Sequence, residues 1–154
     1  MQLQHRHHSP IRLKAEVEAL LAEAQLPVAD LAGRSSLQLL GVRRGGRLVG
    51  VVGVEVYGDV GMLRSLAVEP EHRHSGLGAS LVNDAEAWAE ERGVGTLYLL
   101  TTTAARFFAR LGYEEVPRSA APAAISVTTQ FSDLCPASSM FMRKVLAASH
   151  DLQE

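Results

Sequence analysis

Apolar residues recur along this chain with two periods. From Lys14 to Gln25, Val17, Leu20, Leu21 and Ala24 fall on one helical face, Glu16 and Glu23 take polar positions, and Pro27 ends the pattern. Ile11-Arg12-Leu13 before it reads as a short strand, and Val28 to Leu31 as a further helical turn. Ser36 to Val42 and Arg47 to Tyr57 are strand-like, joined by a turn at Arg43-Arg44-Gly45-Gly46, and so predict a hairpin. The second arm, LVGVVGVEV, is almost entirely apolar, as a central strand covered on both faces should be. Gly58-Asp59 turns the chain into the run Leu63 to Val68, giving three antiparallel strands in succession. A polar loop follows, and then helical periodicity from about Gly76 to Arg92, with Leu77, Leu81, Ala85 and Trp88 as the buried stripe and Asn83, Glu86 and Glu90 on the wet side. Gly93 stops that helix. Thr96 to Leu100 is the next buried strand, parallel to the one ending at Val68 because a crossover helix separates them. AARFFARLGY, residues 104–113, is a short helix ending at Gly112; Tyr113 to Val116 returns as a strand. Residues 118–137 form a long connection with one helical turn around Ala123 to Thr129, and 139–146 close as a last strand.

The 154 residues fit one domain with a sizeable core, here drawn at 11–146 with a flexible 1–10 and a tail at 147–154. The net charge of −2 gives no reason to expect nucleic acid as a partner. No apolar run approaches the length of a membrane span, and no signal-peptide pattern opens the chain. One cysteine, Cys135, excludes an internal disulfide, so the expectation is a soluble, cytoplasmic protein. His5, His7 and His8 have no acidic or cysteine partner nearby in sequence and read as a peripheral terminus rather than a metal site; no metal is expected.

Chemistry concentrates in GMLRSLAVEPEHRHSGLGASLV, residues 61–82. Its order is strand, glycine-containing turn, helix. The first N–H groups of a helix lack internal partners and carry partial positive charge, so a turn whose glycines admit a ligand there suits a phosphate. A Walker loop is absent, and Leu81 stands where a dinucleotide fingerprint needs its third glycine.

Arg-x-x-Gly-x-Gly after a strand ending Leu-Ala-Val resembles the acetyl-CoA pyrophosphate loop of the GNAT N-acetyltransferases. The aromatic-bearing helix that ends in Gly112-Tyr113 matches a second signature of that superfamily. The resemblance implies an α/β fold: a mixed, mostly antiparallel sheet with a splayed parallel strand pair, flanked by about four helices. It implies acetyl-CoA as cosubstrate. The stretch Leu66-Ala67-Val68 would meet the pantetheine arm, and the Val68 N–H would face the thioester carbonyl. Arg73, His74, Ser75, Gly76, Leu77, Gly78 and Ala79 would hold the pyrophosphate. Two usual acid–base positions depart from the pattern: Ser65 stands where a glutamate is common, and Phe108 where a tyrosine is. Thr101 replaces a common asparagine.

A substitute base is sought on the neighbouring strand. Glu55 interrupts the apolar run from Val51 to Val56, and burial there disfavours a charged carboxylate, which suits proton uptake. The other readings are a solvent-facing edge residue or a structural partner of Arg64. Tyr57 shares its face by alternation and could bind substrate or carry a proton. Cys135 has no visible histidine partner, and lone cysteines are usually inert.

GVEVYGDVGMLRSLAV, LYLLTTTAARFFARLGYEEVPR and FSDLCPAS together resemble the small arsenic-resistance N-acetyltransferases of arsenic operons, from about Ile11 to Leu146. That implies a small toxic amine as acceptor, such as an arsenic-containing amino acid. One cysteine cannot supply the several thiolates that trivalent arsenic favours. The rival function is a non-catalytic acyl-CoA sensor on the same fold, motivated by Ser65 and Phe108; a metalloid chaperone using Cys135 and the histidines is a third. A homodimer is a candidate assembly.

Overall fold

The computed structural model describes residues 9–11, 15–24, 26, 37–127 and 139–146. Among them, seven strands form one sheet: β1 (Ser9–Ile11), β2 (Leu37–Arg44), β3 (Arg47–Tyr57), β4 (Val60–Val68), β5 (Thr96–Thr101), β6 (Glu114–Glu115) and β7 (Met140–Val145). Their spatial order is β1-β2-β3-β4-β5-β7-β6. β1 to β4 are antiparallel neighbours, β4 and β5 run parallel, and β7 is antiparallel to both β5 and β6. Four α-helices among the described residues accompany the sheet: α1 (Ala15–Glu23), α2 (Leu77–Glu91), α3 (Ala105–Arg110) and α4 (Ala123–Ser126).

β3 lies in the interior of the sheet, between β2 and β4, and nearly every side chain on it is apolar; Val49, Val51, Val52 and Val54 are fully buried. The hairpin turn is Gly45-Gly46 alone, with φ of 61° and 82°, the left-handed pair that matches strand twist and that residues with a Cβ adopt only with strain. Alternation along β3 divides the core. Val52 and Val54 face α2, packing with Leu81, Val82 and Ala85, while Val51 faces α1 and its Val17, Leu20 and Leu21. Each of those α1 side chains contributes roughly 2 kcal/mol of gross burial. On the α1 side of the sheet a third cluster lies farther along, where Tyr98 stacks on Phe141 with centroids 5.4 Å apart and Met62, Leu100 and Ile125 surround them.

Several boundaries move. The first strand starts at Ser9, and Pro10 is tolerated because β1 is an edge. The buried stripe of α2 is Leu77, Leu81, Val82, Ala85 and Ala89; Trp88 sits on its flank with the Arg92 guanidinium 3.7 Å above its ring. Glu86 is not on a wet face. It accepts from the Tyr113 hydroxyl at 2.9 Å and from Lys144 Nζ at 3.1 Å, and Lys144 also donates to the Leu111 carbonyl at 2.8 Å, so one carboxylate ties α2 to the end of α3 and to β7. The second helical turn at Val28, the histidines before Ser9, Cys135 with its LCPAS segment and the tail after Leu146 lie outside the described residues.

Candidate functional site

β4 and β5 pair only at Val60↔Thr96, Gly61↔Leu97 and Met62↔Tyr98. Both strands continue, β4 to Val68 and β5 to Thr101, but they part. One edge of β4 therefore opens from Leu63 onward. Backbone groups on such an edge need partners, and a ligand can supply them.

A bulge decides which groups face the opening. Val51 pairs with Ala67, but Gly53 pairs with Arg64, so β4 carries one extra residue against β3. Ser65 sits within that step at φ 60°, a left-handed conformation that costs a residue with a Cβ about 1 kcal/mol or more. One inserted residue inverts the alternation beyond it. The Glu69 N–H donates to the Val49 carbonyl at 2.9 Å, so Glu69 and Ala67 look toward β3. By alternation Leu66 and Val68 turn their N–H and C=O groups toward the gap.

Beyond Val68 the chain makes a short 3₁₀ turn, Pro70–His72, and enters α2 at Gly76, whose φ of 86° is left-handed. Gly76 at the N-cap supplies no side chain, so among the described residues the first N–H groups, those of Leu77, Gly78 and Ala79, have no cap from that position. The Arg73 Nε donates to the Val68 carbonyl at 2.9 Å, folding the guanidinium back over the end of the gap. The Ser75 hydroxyl donates to the His72 carbonyl, and His74, at φ 64°, is exposed. Leu77 contributes only backbone, because its side chain is buried in the core. Glu69, Glu71 and His72 bring ligand-type atoms within 4.8 Å of one another, but Arg47 holds the Glu69 carboxylate through both oxygens, at 2.8 and 3.0 Å, and reaches Glu71 at 3.3 Å.

The far wall of the gap is β5 and α3. Thr101 Oγ1 accepts from the Ala104 N–H at 3.0 Å and so caps the turn into α3. Phe108 is buried in the core, packed edge-on against Tyr113 and Phe107. It is Phe107 that reaches the loop: a Cβ built on Gly78 would lie 3.3 Å from the Phe107 ring, so a side chain there would need that ring to shift by a few tenths of an ångström. Helical spacing alone did not separate the two adjacent rings.

The opposite face of β3 and β4 carries Glu55, Tyr57 and Arg64. Glu55 is fully buried, and its Oε2 lies 3.3 Å from Arg64 Nη1, itself buried. The Tyr57 hydroxyl donates to Glu55 Oε1 at 2.6 Å. Arg64 Nε donates to Ser65 Oγ at 3.2 Å. Of the roles open to Glu55 from sequence, the geometry supplies the partnership with Arg64. The contribution of Ser65 had no sequence signal, since a serine in a strand does not announce a bulge.

The model of the acetyltransferase (GNAT) family matches residues 5–113. The chain belongs to that family. An amino-acid acetyltransferase of Pseudomonas fluorescens is 42% identical over 66 residues, 43% of this chain and 15% of the relative. An uncharacterized N-acetyltransferase of Chlorobaculum tepidum is 37% identical over 78 residues, half of each chain. The match thus spans half or less of these curated relatives. Among solved structures, a provisionally assigned acyl-CoA N-acyltransferase of Klebsiella pneumoniae superposes with a TM-score of 0.74 at 27% identity, covering 90% of this chain and 96% of that one. The N-acetylglutamate synthase of Neisseria gonorrhoeae, complexed with coenzyme A and N-acetyl-glutamate, gives 0.72 at 19% identity over 90% of this chain and 35% of its own. The mixed sheet with its single parallel pair, β4 and β5, is the GNAT fold.

Proposed function

We propose that this protein transfers the acetyl group of acetyl-CoA directly to the primary amine of a small molecule. One observation carries the reading: the open edge of β4 leads, through the short turn at 69–76, to the N-terminus of α2, where Gly76 supplies no side-chain cap. The cosubstrate supplies an activated thioester. Leu66 and Val68 offer it backbone partners along the gap, with Ala67 between them turned to β3. Arg73, whose own N–H donates to the Pro70 carbonyl, brings its guanidinium, and the residues from His74 to Ala79 offer N–H groups and a partial positive charge to its pyrophosphate. Charge that develops on the thioester oxygen meets the Val68 N–H, a fixed donor that needs no reorganisation. Thr101 shapes the turn on the far wall, and Phe108 supports Phe107 from the core.

For the amine proton, Tyr57 and Glu55 form a short relay. The Tyr57 hydroxyl accepts from the incoming amine while donating to Glu55, and Tyr57 is the more exposed of the two. Glu55 is fully buried and bonded to both Tyr57 and Arg64, so the amine reaches it through Tyr57 rather than directly. The thiolate leaves without a strong acid, because a thiol ionises near neutral pH.

The amino-acid acetyltransferases among the relatives make amino acids the first acceptor class to try, and the resemblance to arsenic-resistance enzymes adds arsenic-containing amino acids. The reaction is assigned to the cytoplasm; a homodimer is the assembly to test by sedimentation. The second reading, a non-catalytic acyl-CoA sensor, is favoured by the tie between Glu55 and Arg64. A thiol-release assay with acetyl-CoA and a panel of amino acids and small amines separates the two. Acceptor-dependent release of free CoA is expected. Binding of acetyl-CoA without release across the panel would favour the sensor, and absence of binding would remove both readings.

A further inference from the structure

We propose that Arg64 and Ser65 are positioning residues: Arg64, anchored by Glu55, pins the Ser65 bulge and thereby sets which backbone donors of β4 face the gap. The inference rests on the proposed binding of acyl-CoA along that edge. Ser65 is left-handed at φ 60° without being glycine or asparagine, so its conformation needs support from outside the backbone. The support is a chain of side chains that runs inward from half-buried Tyr57. Tyr57 donates to Glu55 at 2.6 Å, Glu55 meets Arg64 at 3.3 Å, and Arg64 donates to Ser65 Oγ at 3.2 Å. All of Glu55, Arg64 and Ser65 are buried, between the apolar cluster under α1 and the one around Met62 and Tyr98.

A buried ion pair is a poor device for stability alone, since its desolvation offsets its attraction; its best-attested use is to fix one register among several. Here the register at stake is the bulge. If the extra residue slipped out, Leu66 and Val68 would turn to β3, and Ala67 would face the gap. Glu55 lies opposite Met62, whose pairing with Tyr98 is the last between β4 and β5, and Arg64 follows two residues on, where the strands begin to part. That is where a fixed bulge matters most.

Two substitutions separate the side-chain latch from backbone strain. Ser65→Ala keeps the left-handed penalty and loses the hydroxyl; Ser65→Gly loses the hydroxyl and the penalty together. With both, the Kd for CoA is measured by calorimetry and amide exchange is followed in the free protein. In the wild type, Ala67 and Glu69 should exchange slowly and Leu66 and Val68 quickly. Ser65→Ala should blur that contrast and weaken CoA binding by about tenfold, the scale of one lost hydrogen bond, while Ser65→Gly recovers most of both. Equal behaviour of Ala and wild type in exchange and in CoA affinity would overturn the latch. Unchanged exchange with weaker affinity would also overturn it, since the effect would then not pass through the bulge. If wild-type protein shows the expected exchange pattern but no CoA affinity, the functional reading fails while the latch on the backbone stands.

Discussion

Tyr113 is buried at the hinge between α3 and β6, and its hydroxyl donates to Glu86. Burial is the larger cause, and the adjacent Glu86 carboxylate the second, of a phenol pKa raised well above its ordinary 10.0. The sign follows directly. Below pH 10.0 folded and unfolded chains both keep this proton, so the contribution is intact. Above it only the folded chain keeps the proton, and stability falls, by roughly tenfold in the folding constant per pH unit. Urea unfolding at pH 9 and pH 11 should therefore show a steeper loss for wild type than for Tyr113→Phe; parallel losses would place the alkaline sensitivity elsewhere. Single residues also mark where sequence reading stopped. Glu55 stood out because a carboxylate interrupted an apolar run, and its pairing with Arg64 was one of the readings. What could not be ranked was proton acceptor against ion partner, because that depends on how deeply each side chain is buried and what it meets across the hairpin; the bulge at Ser65, a serine that looks ordinary in sequence, shifts the pairing only beyond Arg64.

Among the elements, the turn into α2 has the sharpest expectation. Gly76 is left-handed at φ 86°, and a Cβ built there meets nothing within 4 Å, so substitution brings strain without collision. Asparagine and aspartate tolerate that conformation about equally, each at roughly 1 kcal/mol against glycine. They differ in charge. Gly76→Asn should fold and retain most CoA affinity by calorimetry, whereas Gly76→Asp should lose on the order of a hundredfold by opposing the pyrophosphate, and added salt should narrow the gap. Similar affinity in the two variants would move the phosphate site away from this turn. The loop and the elements around it were legible because glycines, prolines and hydrophobic period all mark them: the hairpin, the parallel crossover and the short helix appear in order, the helix ending at Arg110, two residues before Gly112. Helix rotation was less legible. Phe107 and Phe108 are adjacent and identical, and only packing against Gly78 and Tyr113 tells the loop-facing ring from the core ring. Glu86 likewise sits at a polar position of α2, and nothing local in sequence announces that Lys144, on the last strand, will fold onto it.

For the molecule as a whole, the sheet is two pieces joined at a narrow seam. β1 to β4 form one and β5 to β7 the other, and only three residue pairs connect β4 to β5. The core under α2 bridges them, with Leu63 on one side and Leu97 and Leu99 on the other, but past Met62 no β4–β5 pairs follow. A ligand that pairs with the open edge therefore acts as a substitute strand. At a hundredfold excess over its Kd, CoA should stabilise the folded state by about 2.7 kcal/mol, visible as a raised Tm. That gain alone would not locate the ligand, since binding anywhere on the folded state gives it. The seam predicts a pattern as well. Amide protection should rise most at Leu66 and Val68 and at Leu77 to Ala79, groups that exchange by local exposure in the free protein. Ala67 and Glu69, already turned to β3, should change little. A rise concentrated under α1 or along β7 would put the ligand on another surface, and a uniform rise would mean that the open edge of β4 takes no direct part in holding it.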